Sequence, residues 1–549
     1  MKRRNFLRDG SLASLAMAGL AITACQNTSD AKKDSKDTAS NESSKSDQSA
    51  NDDLNETTVR ELQRKMEAGV LTATSLTEVY LRRIREIDQG GPKLRAVIEL
   101  NPDALSIARA MDAERAAGKT RGLLHGIPVL IKDNIDTADS MQTTAGALAM
   151  EGNKASKDAF LVTRLREAGA VLLGKTNLSE WANFRSSSSC SGWSSRGGQT
   201  LNPYLLSHNP CGSSSGSGVA VAANLCAIAV GTETDGSITC PASVNGVVGL
   251  KPTVGLVSRS GIIPISHTQD TAGPLTRTVE DTAILLNYLV GADAADNITV
   301  SAAANLEKDY TRFLQTDALK GKRIGIEKKP QGKNQFMHRL LEKAKDTITQ
   351  AGGTIVDIEY LDSISKLGDA EFTVMKYEFK SGVNKYLAAA NGKMKSLQDV
   401  IAFNKANEDK AMPYFKQETL ESSQELGDLE QPDYLKALKE CHDGSKQILD
   451  KVILENKLDA IAGITMGPAC AVDRWYGDRW GDVFLTQPAA ISGYPHISVP
   501  CGMVYGLPVG FSFFSKAFSE GPLLGMAYAF EQMNKARVHP AFTPAIPQI

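Results

Sequence analysis

No apolar run approaches the roughly 20 residues that a membrane-crossing helix requires, so no helical span is expected in this 549-residue chain. Neither sign of charge dominates: 61 Lys and Arg face 63 Asp and Glu, for a net charge of −2. That balance argues against a nucleic-acid partner held by a basic surface. Cysteine is sparse, with eight residues at 25, 190, 211, 226, 240, 441, 470 and 501. None forms a C-x-x-C pair, and His442 directly follows Cys441 instead of standing at metal-ligand spacing, so no zinc site is expected. The seven histidines have no evident partners and read as incidental. What remains, at 42% hydrophobic residues, is enough to bury the core of one large domain or two medium ones.

The N-terminus reads as an address. Lys2-Arg3-Arg4-Asn5-Phe6-Leu7-Arg8 resembles a twin-arginine export motif, with Lys2 in place of the usual Ser or Thr. A short apolar segment from Leu12 to Ile22 follows. Ile22-Thr23-Ala24-Cys25 then looks like a bacterial lipobox, in which Cys25 is acylated and becomes the new terminus. An ordinary signal peptide with an incidental cysteine is the plainer alternative. The lipoprotein reading is preferred because of what comes next. Residues 26–55 are nearly all Ser, Asp, Lys, Asn, Thr, Gln and Ala, with a single Leu54. Such a stretch buries too little to offset its ordering and serves as a tether. The expected organisation is a signal peptide over 1–24, a tether over 25–55 and a folded domain over 56–549. The expected location is exported, periplasmic or cell-surface, anchored to the membrane through Cys25. Cargo of this export route folds in a reducing compartment, which argues against structural disulfides. The other cysteines read as small buried apolar residues.

Along the folded part, three helices are expected first, over 57–68, from Ser75 with a capping-box pattern Ser75-Leu76-Thr77-Glu78, and over 102–117. From Gly122 to about Val290 short apolar strands alternate with helices, as in Val129–Ile131, Ala159–Glu167, Ala170–Leu173, Ser217–Leu225 and Cys226–Val230. That alternation predicts an α/β fold with a mixed, mostly parallel central sheet covered by helices on both faces. Two further strands, 322–327 and 354–358, flank a helix over 337–350. Residues 371–453 are polar and helical and read as an insertion. Strands return at 460–464, 496–501 and 508–514, the last two as a hairpin, before a final helix to Lys535.

Three residues carry the candidate chemistry. Lys132 ends the apolar run Ile127-Pro128-Val129-Leu130-Ile131. Ser213 lies in the small-residue loop Cys211 to Gly218, directly before a helix. Ser237 follows in Gly231-Thr232-Glu233-Thr234-Asp235-Gly236-Ser237-Ile238. Cleaving an amide needs an activated nucleophile, a proton relay and donors for the oxyanion. Lysine acts as a base only when neutral. Moving it from about 10.4 to about 7 corresponds to about 4.6 kcal/mol, which burial behind Ile127–Ile131 is able to supply. Taken singly, Lys132 also reads as a surface lysine and the Gly/Ser loop as a flexible connector. Gly212-Ser213-Ser214-Ser215-Gly216 matches a nucleophile-elbow pattern as well, but the Leu205 to Pro210 stretch before it is a poor buried strand. Backbone N–H groups of Thr234, Asp235 and Gly236 are candidates for the oxyanion hole.

Together these stretches resemble the amidase signature family. Gly126 to Asp133 is similar to its G-I-P-x-x-x-K-D strand, Cys211 to Ser217 to its G-G-S-S-G-G-S loop, and Gly231 to Thr239 to its G-T-D-x-G-G-S-I-R segment. Gly249 to Thr253 and Asp270 to Pro274 match too, and the likeness is densest from 122 to 290. The resemblance implies that Ser237 is the nucleophile, Ser213 the relay and Lys132 the base, with a cis peptide bond entering Ser213 and no metal or organic cofactor. The chain departs from the family at Cys211, Glu233, Asp235, Ser215 and Thr239. The last stands where the family has arginine, which leaves open what orders the nucleophile loop. Within the family the pattern is most similar to the peptide amidase subgroup. Thr232 to Ile238, Trp181 to Arg185 and Gly192 to Gln199 carry that likeness and imply removal of C-terminal peptide amides as ammonia. Trp181 and Trp193 are not assigned to the site. Alternative readings are an amidase for other small acyl or amino-acid amides, a Glu-tRNA amidotransferase-like subunit, and an inactive binding lipoprotein.

Overall fold

The computed structural model describes residues 54–329 and 332–544; the leader, Cys25 and the tether up to residue 53 lie outside them. The folded unit begins slightly before the expected boundary. Leu54, read above as part of the tether, is buried in the main core. Beside it Glu56 receives the guanidinium of Arg537.

An 11-stranded sheet forms the frame. Its strands are β1 (Val97–Leu100), β2 (Pro128–Lys132), β3 (Val171–Thr176), β6 (Ile228–Glu233), β7 (Val248–Lys251), β8 (Thr271–Thr276), β9 (Arg323–Glu327), β10 (Thr354–Ile358), β11 (Ala460–Ile464), β12 (His496–Val504) and β13 (Leu507–Phe514). A separate two-residue ribbon pairs β4 (Trp193–Ser194) with β5 (Gly198–Gln199). The order across the sheet is β1-β3-β2-β6-β8-β7-β12-β13-β11-β9-β10. It is mixed, as the alternation predicts. Parallel pairings fall in two blocks, β3-β2-β6 and β11-β9-β10, and antiparallel pairings join them.

Every residue of β2, β3, β6, β7 and β8 is buried, and in β2, β3 and β6 this shows in the sequence as short apolar runs instead of an alternating pattern. β1, β7 and β8 escaped the sequence reading. β8, Thr271-Ala272-Gly273-Pro274-Leu275-Thr276, holds few branched residues, and its Gly273 pairs with Gly231 of β6 and passes close to the Leu250 carbonyl. The expected hairpin is present, with strands longer than predicted and a turn of only Tyr505 and Gly506. The helix predicted to begin at Ser75 starts at Ala73. Its capping box is formed by Thr72 and Ser75, because Ser75 supplies the returning hydroxyl from the third helical position. Helices from Gly368–Ala389 to Gly444–Glu455 make up the predicted insertion.

Candidate active site

β2 and β6 are parallel neighbours, so their carboxyl ends lie side by side. In such sheets that edge is where ligands are held. β2 ends on Lys132 and β6 on Thr232 and Glu233. The Lys132 side chain is wholly buried. Its Nζ lies 2.7 Å from Ser213 Oγ, 2.8 Å from Thr232 Oγ1 and 3.2 Å from the Thr232 carbonyl. Burial lowers the Lys132 pKa to about 7, against the opposing pull of Asp270 and Glu233. Among the described residues three lysines are fully buried, at 132, 175 and 251, and of these Lys132 is the one hydrogen-bonded to a serine. Lys175 donates to the Ile135 carbonyl and Thr143, and Lys251 to the Pro252 carbonyl.

The Ser213 loop is a built structure. Gly212–Ser213 is a cis peptide bond. Ser179 N–H donates to the Ser213 carbonyl, and Ser215 Oγ to the Cys211 carbonyl. A side chain at Gly212 would press on Ser179 Oγ at 2.2 Å, so glycine is required there by close approach. Helix Ser215–Ala222 follows, buried along its whole length. Ser214 N–H donates 3.1 Å to the Ser237 carbonyl, which brings the second serine against the first loop. No hydrogen bond joins Ser213 Oγ to Ser237 Oγ among the described residues.

One expectation about cysteine is corrected. Cys211 and Cys240 form a disulfide, although the export route argued against such bonds and both residues read as small apolar fillers. The fold brings the start of one loop against the end of the other, a proximity across 29 positions that spacing alone does not reveal. The remaining described cysteines are free, and all but Cys470 are buried.

The absence of the family's arginine at 239 has a local answer in Glu233. Its carboxylate accepts the N–H groups of Ile238 and Thr239 at 2.7 and 2.9 Å and the Thr239 hydroxyl at 3.2 Å. A carboxylate there satisfies the otherwise unpaired donors at the start of helix Thr239–Val244. Gly236, at φ +76°, takes the left-handed turn before Ser237. Among the described residues the N–H groups of Asp235, Gly236 and Ser237 have no acceptor, so they are free to bind an oxygen. Thr234 contributes its hydroxyl to Asp270.

Two carboxyl groups lie close by: Asp235, whose side chain has no role in the sequence reading, and Glu371, which the sequence does not single out. Asp235 accepts the Thr486 hydroxyl at 2.6 Å, and Glu371 accepts the amides of Gln269 and Gln487. Burial and the neighbouring Glu371 push the Asp235 pKa well above its usual value, and burial also raises that of Glu371. Glu371 comes from the helical insertion, so no local motif ties it to the site.

Ser237, Gly212, Asp235 and Gly236 line a cleft of about 360 Å³ whose walls include Phe184, Ser188, Tyr476 and Phe484. A second hollow of about 420 Å³ reaches Asn134 and Thr232 and shares Ala182, Thr234 and Ile265 with the first, but it does not touch either serine. Trp181 and Trp193 are packed, the former edge-on against Phe379 and the latter under the Arg185 guanidinium. Among the described residues no cluster of His, Cys, Asp or Glu is arranged to hold a metal ion.

The fold and its cleft define an enzyme that hydrolyses amides. The family model described as Amidase matches residues 75–524. The native peptide amidase of Stenotrophomonas maltophilia superposes with a TM-score of 0.86 at 49% identity, covering 89% of this chain and 99% of that one. A probable amidase of Arabidopsis thaliana is 42% identical over 502 residues, or 89% of this chain and 92% of the relative. A glutamyl-tRNA(Gln) amidotransferase subunit from Thermoanaerobacter pseudethanolicus is 34% identical over 496 residues, or 88% and 97%. The chain belongs to the amidase signature family.

Proposed function

We propose that this amidase removes the C-terminal amide of peptides by an acyl-enzyme route driven by Lys132, Ser213 and Ser237. One observation carries the reading: a fully buried amine with a pKa near 7 rests 2.7 Å from a serine hydroxyl. A neutral amine has two N–H bonds and one lone pair. Its two N–H bonds go to the carbonyl and hydroxyl of Thr232, which leaves the lone pair facing Ser213. Lys132 takes the Ser213 proton as Ser213 takes that of Ser237, and Ser237 Oγ adds to the amide carbon. The developing oxyanion is received by the N–H groups of Asp235, Gly236 and Ser237, which have no other acceptor among the described residues. When the C–N bond breaks, Lys132 returns its proton through Ser213 to the departing nitrogen, which leaves as ammonia. Water adds to the ester by the same relay, releasing the acid and restoring Ser237. The gap between the two hydroxyls is of the kind that closes when substrate binds.

The preference for peptide amides is supported by the 49% identity to peptide amidase against 34% to the amidotransferase relative. The test is ammonia release from peptide amides, amino-acid amides and aliphatic amides. Release from the first class, abolished by Ser237→Ala, is expected; undiminished release by that variant removes Ser237 as nucleophile. We further propose that the enzyme works as an exported lipoprotein held by acylated Cys25. The Lys2 to Arg8 motif and the Ile22-Thr23-Ala24-Cys25 stretch support this reading. Mass spectrometry of the mature N-terminus is expected to give a diacylglyceryl cysteine; an unmodified N-terminus beyond Cys25 would contradict it.

A further inference from the structure

We infer that the hollow between the Lys93–Arg95 loop and the Arg196 turn is a binding site for a tetrahedral oxyanion, either inorganic phosphate or a phosphate monoester. The site goes beyond the amide-hydrolase reading and shares no residue with the cleft that holds Ser237.

The hollow has a volume of about 350 Å³ and is lined by Lys93, Arg95 and Arg196, with Asp88, Gln89 and Gly197 among its other walls. Three cations around one hollow stand out in a chain whose net charge is −2. Two of the three are uncommitted. Among the described residues no side-chain hydrogen bond or ion pair joins Lys93 or Arg95 to another residue. The carboxylates nearby already have donors. Asp88 accepts the N–H groups of Ala96 and Val97 at 2.6 and 3.1 Å, and Glu99 accepts the Arg196 guanidinium and the Gln142 N–H.

The backbone under the two free cations is pinned. Leu94, which stands between them, is fully buried. Lys93 N–H donates to the Ile87 and Gly90 carbonyls, and Arg95 N–H to the Asp88 carbonyl. The Leu94 and Ala96 carbonyls accept the N–H groups of Leu201 and Asn177, and the Arg95 carbonyl accepts the Thr200 hydroxyl. Lys93 and Arg95 both stand at φ +55°, a left-handed conformation that residues with side chains adopt at an energetic cost and that clusters at functional positions. Its outcome here is one buried leucine flanked by two exposed cations.

Across the hollow, Arg196 and Gly197 lie in the turn between β4 and β5. Arg196 is fixed by Glu99 and lies 3.5 Å from Asp133. Gly198, at φ +69°, leaves room for the facing loop, since a Cβ there would lie 2.7 Å from Arg95 Nη1. The cations therefore meet the hollow from two separately anchored elements.

The chemistry of these donors gives the class of ligand. A guanidinium matches two oxygens of a phosphate as a planar fork, and a lysine adds a compact point charge. Two uncommitted cations balance a dianion, whereas a carboxylate brings one charge and two oxygens. A tetrahedral dianion is the better fit.

Isothermal titration calorimetry of the full-length protein tests the site, with ionic strength held constant by chloride at about pH 8, where phosphate is dianionic. Saturable binding of inorganic phosphate is expected, with a Kd of about 1 mM or tighter. The Lys93→Gln/Arg95→Gln double variant is expected to weaken it by roughly tenfold or more, and Arg95→Lys by less. Ammonia release from a peptide amide should stay within about twofold of wild type in both, which also shows that they are folded. Glycerol 3-phosphate separates the two sources: tighter binding than inorganic phosphate assigns the site to a phosphate monoester, and looser binding assigns it to phosphate itself. Saturable binding of neither, acetate bound as tightly as phosphate, or unaltered affinity in the double variant would overturn the site.

Discussion

Cys211 is bonded to Cys240, which joins the loop carrying Ser213 to the helix that begins just after Ser237. The bond closes a segment of 29 positions, and cross-linking a loop of that length stabilises a fold by about 3–4 kcal/mol through the unfolded chain. Reduction by a dithiol is therefore expected to lower the unfolding temperature and, by loosening one serine relative to the other, to lower kcat more than it raises KM. The Cys211→Ser/Cys240→Ser double variant should melt early and ignore reductant. Identical melting curves for oxidised and reduced enzyme would count against the bond.

Glu233 predicts a second outcome. Its carboxylate supports two buried N–H groups at the nucleophile turn, and leaving buried donors unpaired costs about 1–3 kcal/mol each. Glu233→Ala is expected to reduce kcat by roughly 10- to 100-fold. Glu233→Gln, which still offers an acceptor oxygen, is expected to lose less. Steady-state kinetics of the two variants separates this role from a purely electrostatic one, in which both would fall equally.

Thr232 is predicted to orient the base. Its hydroxyl and carbonyl take the two Lys132 N–H bonds, and Asn134 donates to the same hydroxyl. Thr232→Val removes one acceptor and frees Lys132 to rotate away from Ser213. A fall in kcat of roughly tenfold with KM little changed is expected, restored in Thr232→Ser. A Thr232→Val enzyme with unaltered kcat would show that the hydroxyl plays no part.

Much of this arrangement was legible in advance because it is local. The strand ending on Lys132, the small-residue loop and the Thr234–Ser237 turn each declare themselves through composition, and the mixed sheet follows from strands alternating with helices. What the chain order conceals is contact across distance. Glu371 acts on Asp235 only because a helix of the insertion brings it near. Cys211 meets Cys240 because β6 returns the chain to the same sheet edge. Thr232 lay inside a recognised segment, but its service to Lys132 depends on the parallel pairing of β2 with β6.

The account stands on an uncharged Lys132, and the pH dependence of ammonia release reads it most directly. Burial brings this amine down to about 7, so the working, deprotonated form is lost as pH falls through that value and gained as pH rises through it. The predicted result is a kcat that climbs with a midpoint near 7 and levels off above it, with both the limb and the activity gone in Lys132→Ala. A kcat unchanged from pH 5 to pH 9, or a Lys132→Ala enzyme that keeps the wild-type profile, would contradict it.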